Sequence, residues 1–212
     1  MVTVLLVDLT ARRFRSLTLD GGHYKGPLGG RALGVHLLGE WDAPGLDPLA
    51  PDAPVVFAVG PATGTGFWGT SRCGLFARSP ATGGFGESYC GGGLGEALAR
   101  TGWRAVVLVG AAPEPVWVEV QPEGANFHPA ADLWGRDCHA AERELLARAG
   151  RPGARAAVRG PAGENVVRLA LVRSDLWRQA GRTGRGAVLG AKKVKGLVFW
   201  GDRRPRVADP QG

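Results

Sequence analysis

The 212-residue sequence predicts an α+β fold, a β-rich domain with an internal pseudo-two-fold duplication and a few short helices. Three observations support this prediction. Short runs rich in valine, leucine and alanine recur along the chain between glycine, proline or aspartate residues. Segments with helical periodicity are fewer. The order of elements in one half of the chain returns in the other half.

The predicted elements are short. The strands cover residues 3–9, 54–60, 73–79, 105–110, 115–120, 154–160, 165–174 and 195–201. The helices cover residues 30–41, 93–102, 138–150 and 186–196. The clearest helix begins at Cys138 and ends at Gly150, with Pro152 just beyond it. Because strands and helices do not alternate regularly, the pattern favours α+β over a doubly wound parallel sheet.

The second half of the chain repeats the first. VVFAVGPATG (55–64) matches RAAVRGPAGE (155–164), and LFARS (75–79) matches ALVRS (170–174). A third match has a constant spacing: Gly93, Gly95, Leu98 and Gly110 are followed 91 residues later by Gly184, Gly186, Leu189 and Gly201. We predict one duplicated domain over residues 1–201, with half-repeats at approximately 50–110 and 150–201. Residues 202–212 are a tail or the start of a missing domain. Two equivalent glycine loops suit a ligand with two similar halves.

Composition argues against several classes of protein. No apolar run is long enough to span a membrane. The N-terminal MVTVLLVDLT predicts a first strand and not a signal peptide, so we expect a cytoplasmic protein. Cys73, Cys90 and Cys138 lack the paired spacing of a disulfide framework. The four histidines are scattered singly, which argues against a metal held by side chains.

The formal net charge of +7 raises the hypothesis of a nucleic-acid partner. However, the basic residues are dispersed, and no basic run interleaved with aromatic residues occurs. An arginine-rich composition with few asparagines and glutamines also fits GC-rich coding in a thermophile. We therefore predict no nucleic-acid function, and keep it only as the weakest alternative.

Two glycine-rich segments, GGGLGEAL (91–98) and AGRTGRGAVLGAKK (180–193), lead into predicted helices. The backbone N–H groups of a helix start can bind an anion, although a tight turn explains the same spacing. Neither segment matches a dinucleotide fingerprint or a phosphate-binding GK[ST] loop. Three arginines at loop–strand junctions are candidate phosphate clamps or solvated loop residues: Arg72, Arg78 and Arg178.

No catalytic residue is predicted. Cys90 has no histidine near it in sequence, so an inert packed thiol is favoured over a nucleophile. Glu164, in GPAGEN, is a further candidate for orienting a ligand. These residues indicate a protein that binds a phosphate-bearing ligand and does not form a complete catalytic site.

An ordered set of segments resembles the N-terminal domain of the aldehyde:ferredoxin oxidoreductase family, tungsten enzymes with a bis-pyranopterin cofactor. The segments are LLVDLT (5–10), LGGRALGVHLL (28–38), DPLAPDAPVVFAVGPATGTG (47–66), SRCGLFARSPATGG (71–84), GGGLGEAL (91–98), DLWGRD (132–137), GPAGENVVRLA (160–170) and AGRTGRGAVLGAKKVKGLV (180–198). Each motif alone is weak, but together they cover nearly the whole chain in family order.

The resemblance implies a site for two pterin-dithiolenes with tungsten, or molybdenum, between them and magnesium bridging their phosphates. The pterins would supply the sulfur ligands, so no side chain would ligate the metal. The implied cofactor-binding residues are Arg72, Tyr89, Cys90, Gly91, Gly92, Gly93, Gly95, Arg178, Gln179, Ala180, Gly181, Arg182 and Gly184. Magnesium would be contacted through the backbone of Tyr89 and Gln179. These two residues depart from the family, which usually has an Asn-type residue at the first position and often alanine at the second.

The resemblance also implies a function: oxidation of aldehydes to carboxylic acids, with electrons passed to ferredoxin. The three cysteines do not have [4Fe–4S] spacing, so the cluster is expected on missing C-terminal domains or a companion subunit, and this chain alone is expected to be inactive. A stand-alone, non-catalytic pterin-binding or assembly module is the alternative. The face that the cofactor would cover also allows a homodimer.

Overall fold

Two six-stranded sheets form the part of the chain that this computed structural model describes, residues 2–19, 28–205, 207 and 209. Only a few short helices accompany the sheets, so the predicted α+β fold class is confirmed. Among the described residues, no helix has the length and apolar character needed to cross a membrane.

The first sheet has the strand order β2-β1-β6-β3-β4-β5. Its strands are β1 (Val2–Asp8), β2 (Arg13–Leu19), β3 (Val55–Val59), β4 (Cys73–Arg78), β5 (Phe85–Cys90) and β6 (Ala105–Val109). Helix α1 (Gly30–Trp41) precedes β3, and α2 (Leu94–Arg100) follows β5. Strands β1 and β6 are parallel, and the other neighbours in this sheet are antiparallel.

The second sheet has the strand order β8-β7-β12-β9-β10-β11. Its strands are β7 (Val116–Gln121), β8 (Gly124–Pro129), β9 (Arg155–Val158), β10 (Val172–Ser174), β11 (Arg178–Ala180) and β12 (Val194–Phe199). Its helices are α3 (Cys138–Ala149), α4 (Pro161–Glu164) and α5 (Arg185–Ala191), with a 3₁₀ turn at Ala131–Leu133. Again, only one neighbouring pair, β7 and β12, is parallel.

The two sheets have the same topology. Each contains a hairpin, a helix, three strands, a helix and a final strand that returns beside the hairpin, and the second half adds the 3₁₀ turn and the short α4. The register is also shared, since Leu108 pairs with Val55 as Phe199 pairs with Arg155. The equivalence therefore begins at β1 and β7, ahead of the half-repeats at 50–110 and 150–201. We propose that these longer units, each with its own hairpin, are the duplicated elements.

Two sequence predictions are wrong in detail. The match of LFARS with ALVRS is out of register by four residues, because Val158 pairs with Arg173 where its equivalent Ala58 pairs with Gly74. The predicted strand 165–174 is extended only in β10. The first part of the predicted strand forms a turn instead, in which Val166 has a φ of 54° and Leu169 is exposed.

The largest hydrophobic core lies between the sheets and draws on both of them together with α2 and α5. The outer face of the first sheet packs against α1 through Leu33 and Leu37. The outer face of the second packs against α3 through Leu145. The outermost strands also meet: β5 contacts β11, and β2 contacts β8. Phe14 of β2 lies against Gly124 of β8, where a Cβ would come within 2.1 Å of its ring.

Lys192 is a fully buried amine that follows α5. Its Nζ donates hydrogen bonds to the carbonyls of Pro51 (2.5 Å) and Gly110 (2.9 Å). Burial lowers the pKa of Lys192 from 10.5 to about 8.

We therefore expect a pH-dependent stability contribution from Lys192. Between pH 8 and 10.5 the unfolded chain binds the proton that the folded chain has lost, so the free energy of unfolding rises with pH across this window. Lys192→Met should remove that rise. Denaturant unfolding of both proteins at pH 7.5, 9 and 10.5 measures it. A difference between wild type and variant that does not change with pH would contradict the assignment.

Candidate functional site

Equivalent edge strands of the two sheets, β5 and β11, meet at one place in the structure. Across this junction the Ser88 hydroxyl donates a hydrogen bond to the Gly181 carbonyl. Tyr89 pairs with Gly74, and Gln179 pairs with Arg173. Since Gly74 and Arg173 are themselves equivalent, Tyr89 and Gln179 occupy corresponding positions in the two halves. The junction thus brings two related backbone segments together.

A cleft of about 540 Å³ opens beside this junction. Three segments line it: the loop before β4, the glycine loop after β5, and the β10–β11 hairpin. The lining residues are Phe67, Gly69, Ser71, Arg72, Tyr89, Gly91, Gly92, Trp177, Arg178 and Gln179. Six of them, Arg72, Tyr89, Gly91, Gly92, Arg178 and Gln179, were predicted from the sequence.

The other predicted site residues do not line the cleft. The side chains of Cys90 and Ala180 belong to the core between the sheets. Gly95 and Gly184 are buried beside other backbone, and a Cβ at Gly95 would lie 2.8 Å from the carbonyl carbon of Arg72. The remaining three are Gly93 at the N-cap of α2, Gly181 at the junction, and the exposed Arg182.

The glycine loop needs glycine for two different reasons. Gly92 has a φ of 84°, and a Cβ there would lie 2.2 Å from Oδ2 of Asp175. Gly91 has nothing within 4 Å of its Cβ position, so its backbone is open to the cleft. The Ser71 hydroxyl donates to the Gly92 carbonyl at 2.5 Å. The loop is therefore fixed on one side and accessible on the other.

The helix starts are not open anion sites. The Gly93 N–H donates to Oδ2 of Asp175 at 2.6 Å, and the Gly186 N–H donates to the Ala170 carbonyl at 3.0 Å. These contacts favour the tight-turn interpretation of both glycine segments. Positive charge instead reaches the cleft through the exposed side chains of Arg72 and Arg178. Arg78 has a different role, since it forms an ion pair with Asp42 (3.1 Å).

Tyr89 is held against the first sheet. Its ring packs edge-on against Phe76, with centroids 5.9 Å apart, and its hydroxyl donates to Glu87 at 3.0 Å. Arg31 pairs with the same carboxylate at 2.9 Å. Burial, together with the neighbouring Glu87, raises the pKa of Tyr89. The bulky residue that departs from the family pattern thus has partners of its own at the margin of the cleft.

The two thiols near the cleft are buried, and burial raises their pKa values. Cys73 and Cys90 face each other across β4 and β5, and both are buried. Burial, assisted by the charge of Asp175, raises the pKa of Cys90 to about 11. With this pKa, the Cys90 thiol is protonated at neutral pH. The nucleophilic form is the thiolate, so the raised pKa agrees with the inert thiol favoured by the sequence.

Several prominent motifs form a buried charge network in the second half, apart from the cleft lining. Oε1 of Glu164 accepts from Lys195 at 2.5 Å and lies 3.7 Å from Arg159, while Oε2 accepts from the Gly135 N–H at 2.6 Å. The Arg159 guanidinium stacks over Trp134 at 4.2 Å. The GPAGEN and DLWGRD motifs therefore serve packing, and Glu164 does not orient a ligand in the cleft.

Sequence reasoning missed Asp175, Phe67 and Trp177. Phe67 and Trp177 are exposed aromatic residues at the cleft, and Asp175 accepts the N–H of Gly93 from the other half of the chain. Glycine and arginine spacing gave no signal for them. Among the described residues, no group of three or more His, Cys, Asp or Glu side chains is placed to hold a metal ion.

Comparison with known proteins gives consistent matches over nearly all of the chain. Residues 4–201 match the family described as aldehyde ferredoxin oxidoreductase, N-terminal domain. The tungsten-containing aldehyde ferredoxin oxidoreductase of Pyrococcus horikoshii is 35% identical over 206 residues, 97% of this chain and 34% of that protein. The aliphatic sulfonate oxidoreductase, WOR-like subunit, of Pyrococcus furiosus is 28% identical over 215 residues, 93% of this chain and 34% of that protein.

A solved structure has the same fold. It is the active site complex BamBC of benzoyl coenzyme A reductase with 1,5-dienoyl-CoA, at a TM-score of 0.90 and 28% identity. The match covers 99% of this chain and 32% of that one. The chain thus spans about a third of the length of the relatives it matches.

Proposed function

Because this chain belongs to the aldehyde ferredoxin oxidoreductase family and corresponds to the N-terminal domain of its members, we propose that the cleft binds a tungsten, or molybdenum, bis-pyranopterin. The whole protein would oxidise aldehydes to carboxylic acids and pass the electrons to ferredoxin, in the cytoplasm. One observation carries the proposal: equivalent backbone segments, at Tyr89 and Gln179, meet at a single cleft that two arginines line. That arrangement matches a ligand made of two similar halves.

The residues present fit this cofactor. Gly91, with open space at its Cβ position, allows a flat ring system to approach the backbone, and about 540 Å³ is open beside it. Arg72 and Arg178 would bind the pterin phosphates, and the backbone of Tyr89 and Gln179 would face magnesium. When bound, the cofactor supplies the two-electron redox chemistry, and the chain supplies position and charge.

The substrate would be selected elsewhere in the protein. No Asp, Glu or His occurs among the described residues that line the cleft, so proton transfer is assigned to the remaining domains. Phe67 and Trp177 line the cleft and are largely exposed, as is Trp68, the neighbour of Phe67 in sequence. We propose that the rest of the protein, or a companion subunit with the [4Fe–4S] cluster, covers these aromatic residues and excludes water. One relative is named for sulfonates, which agrees with a shared domain and separate substrate sites.

Arg72→Ala should lower cofactor retention at unchanged stability. Loss of charge-assisted hydrogen bonds to phosphate is expected to weaken retention about tenfold. The measurement is released-pterin fluorescence and metal content per protein, after anaerobic purification of the whole protein. Arg143→Ala, an exposed arginine on α3, is the matched control and should retain the wild-type content.

If Arg72→Ala retains as much pterin and metal as wild type, Arg72 does not bind the pterin phosphate. Pterin in a protein that shows no aldehyde oxidation would support the non-catalytic alternative. Wild-type protein with neither pterin nor metal would contradict the cofactor proposal. In that case, steeply salt-dependent DNA binding would favour the nucleic-acid alternative.

A further inference from the structure

We propose that Asp175 is a positioning residue that joins the two sides of the cleft, so that they become ordered together. The inference rests on the proposed function for its purpose, because it concerns the shape of the cofactor site. Its physical basis is the contact of Asp175 with the glycine loop of the first half, which exists whatever the ligand. Asp175 lies in the hairpin between β10 and β11, while its partner loop belongs to the first half.

Both carboxylate oxygens of Asp175 are in use. Oδ2 accepts the N–H of Gly93 at 2.6 Å, and Oδ1 lies 2.9 Å from Nε of Arg155. The Asp175 side chain is only 19% exposed. We call these two contacts the Asp175 link. A hydrogen bond to a charged acceptor in a partly buried place is among the stronger ones in proteins, so the link can fix the loop that bears Gly91 and Gly92.

The same residue shapes its own hairpin. Asp175 and Leu176 have φ values of 49° and 56°, a left-handed conformation that costs free energy for residues other than glycine. Further contacts hold the turn: the Leu176 N–H donates to Glu142 at 3.0 Å, and Arg173 donates to the Leu176 carbonyl. The next residues, Trp177 to Gln179, line the cleft. The strained turn therefore sets where Arg178 and Gln179 lie.

The fit around Asp175 is close. The Asp175 carboxylate leaves no room for a Cβ on Gly92, because that atom would lie 2.2 Å from Oδ2 of Asp175. The glycine loop and the hairpin are thus packed on each other as well as hydrogen-bonded. In the proposed cofactor site, the glycine loop would lie under one pterin and the hairpin under the other pterin. The Asp175 link would therefore order both half-sites as one unit.

The test is amide hydrogen exchange of the whole protein, stripped of cofactor, for wild type, Asp175→Ala and Asp175→Asn. In Asp175→Ala, segments 90–95 and 175–181 should both exchange about tenfold faster. Segment 90–95 loses the charge-assisted hydrogen bond from the Gly93 N–H, and segment 175–181 loses the constraint that this bond places on the hairpin. Asp175→Asn retains an acceptor for Gly93 and should restore part of the protection. Acceleration of only one segment, or of neither, would overturn the proposal.

A second readout separates positioning from general stability. Leu145→Ala removes a buried core side chain on α3 and serves as a destabilised control. At matched loss of melting temperature, Asp175→Ala should release pterin faster than Leu145→Ala. Equal release from both would overturn the positioning role. If wild-type protein holds no pterin, the proposed function fails, whereas the exchange comparison still decides whether Asp175 couples the two segments.

Discussion

Gly190→Ala is expected to lower the free energy of unfolding by about 3 kcal/mol or more, at the upper end for overpacked sites. A Cβ at Gly190 would lie 1.8 Å from the Gly163 carbonyl oxygen. The obstacle is backbone, so no side-chain rotation relieves it, and α4 would have to move away from α5. Movement of α5 would also disturb the buried Lys192. Thermal and denaturant unfolding followed by circular dichroism measures the loss.

Gly39→Ala is the matched control for this substitution. Gly39 is also a helical glycine, in α1, but it is exposed and has nothing within 4 Å of its Cβ position. Alanine there should stabilise the protein by up to about 1 kcal/mol, because it restricts the unfolded chain and favours helix. The two substitutions should therefore change stability in opposite directions. A Gly190→Ala protein as stable as wild type would show that α4 and α5 separate easily.

Glu164→Gln is expected to cost about 3–5 kcal/mol, the range for breaking a buried ion pair from one side. The substitution keeps the size of the side chain and removes its charge. Lys195 and Arg159, both fully buried, would lose their shared counter-charge. Two guanidinium nitrogens of Arg159, Nη1 and Nη2, have no hydrogen-bond partner among the described residues, so the charge of Glu164 is their main compensation. Equilibrium unfolding at neutral pH measures the effect.

Glu96→Gln provides the comparison for the exposed case. Glu96 pairs with Arg100 one helical turn away, and both side chains are about half exposed. Such a pair contributes at most about 1 kcal/mol. If Glu164→Gln lowers the free energy of unfolding by no more than Glu96→Gln does, water must reach the buried charge network around Glu164. The double variant Glu164→Gln, Lys195→Met should recover part of the loss, since it removes one uncompensated charge.

Most of the fold could be predicted because local patterns and burial agree. Helix α3 has an N-cap at Asp137 and a left-handed Gly150 at its end, both visible in the sequence. Strands β3 and β6 are continuous apolar runs and were found for that reason. Strands β2, β5, β8 and β11 were missed. They lie at or near the sheet edges, where exposed polar residues interrupt the apolar pattern.

The site could be predicted only where it depends on motifs. The resemblance led to Arg72, Tyr89 and Gln179, and the structure brings these three to one cleft. Asp175 could not be found in this way. It lies 82 residues from Gly93, and their contact exists only because β5 and β11 meet. The buried state of Cys90 likewise depends on which face of β5 points inward, and this depends on tertiary packing.

The meeting of the outermost strands also affects solubility. An open strand edge offers unpaired N–H and C=O groups to other chains and promotes aggregation. Here β5 lies against β11 and β2 against β8, so each half covers both outer edges of the other. Either half alone would expose two such edges together with the inner face of its sheet. By covering each other's edges, the two halves shield one another from self-association, and we expect neither half to be soluble without the other.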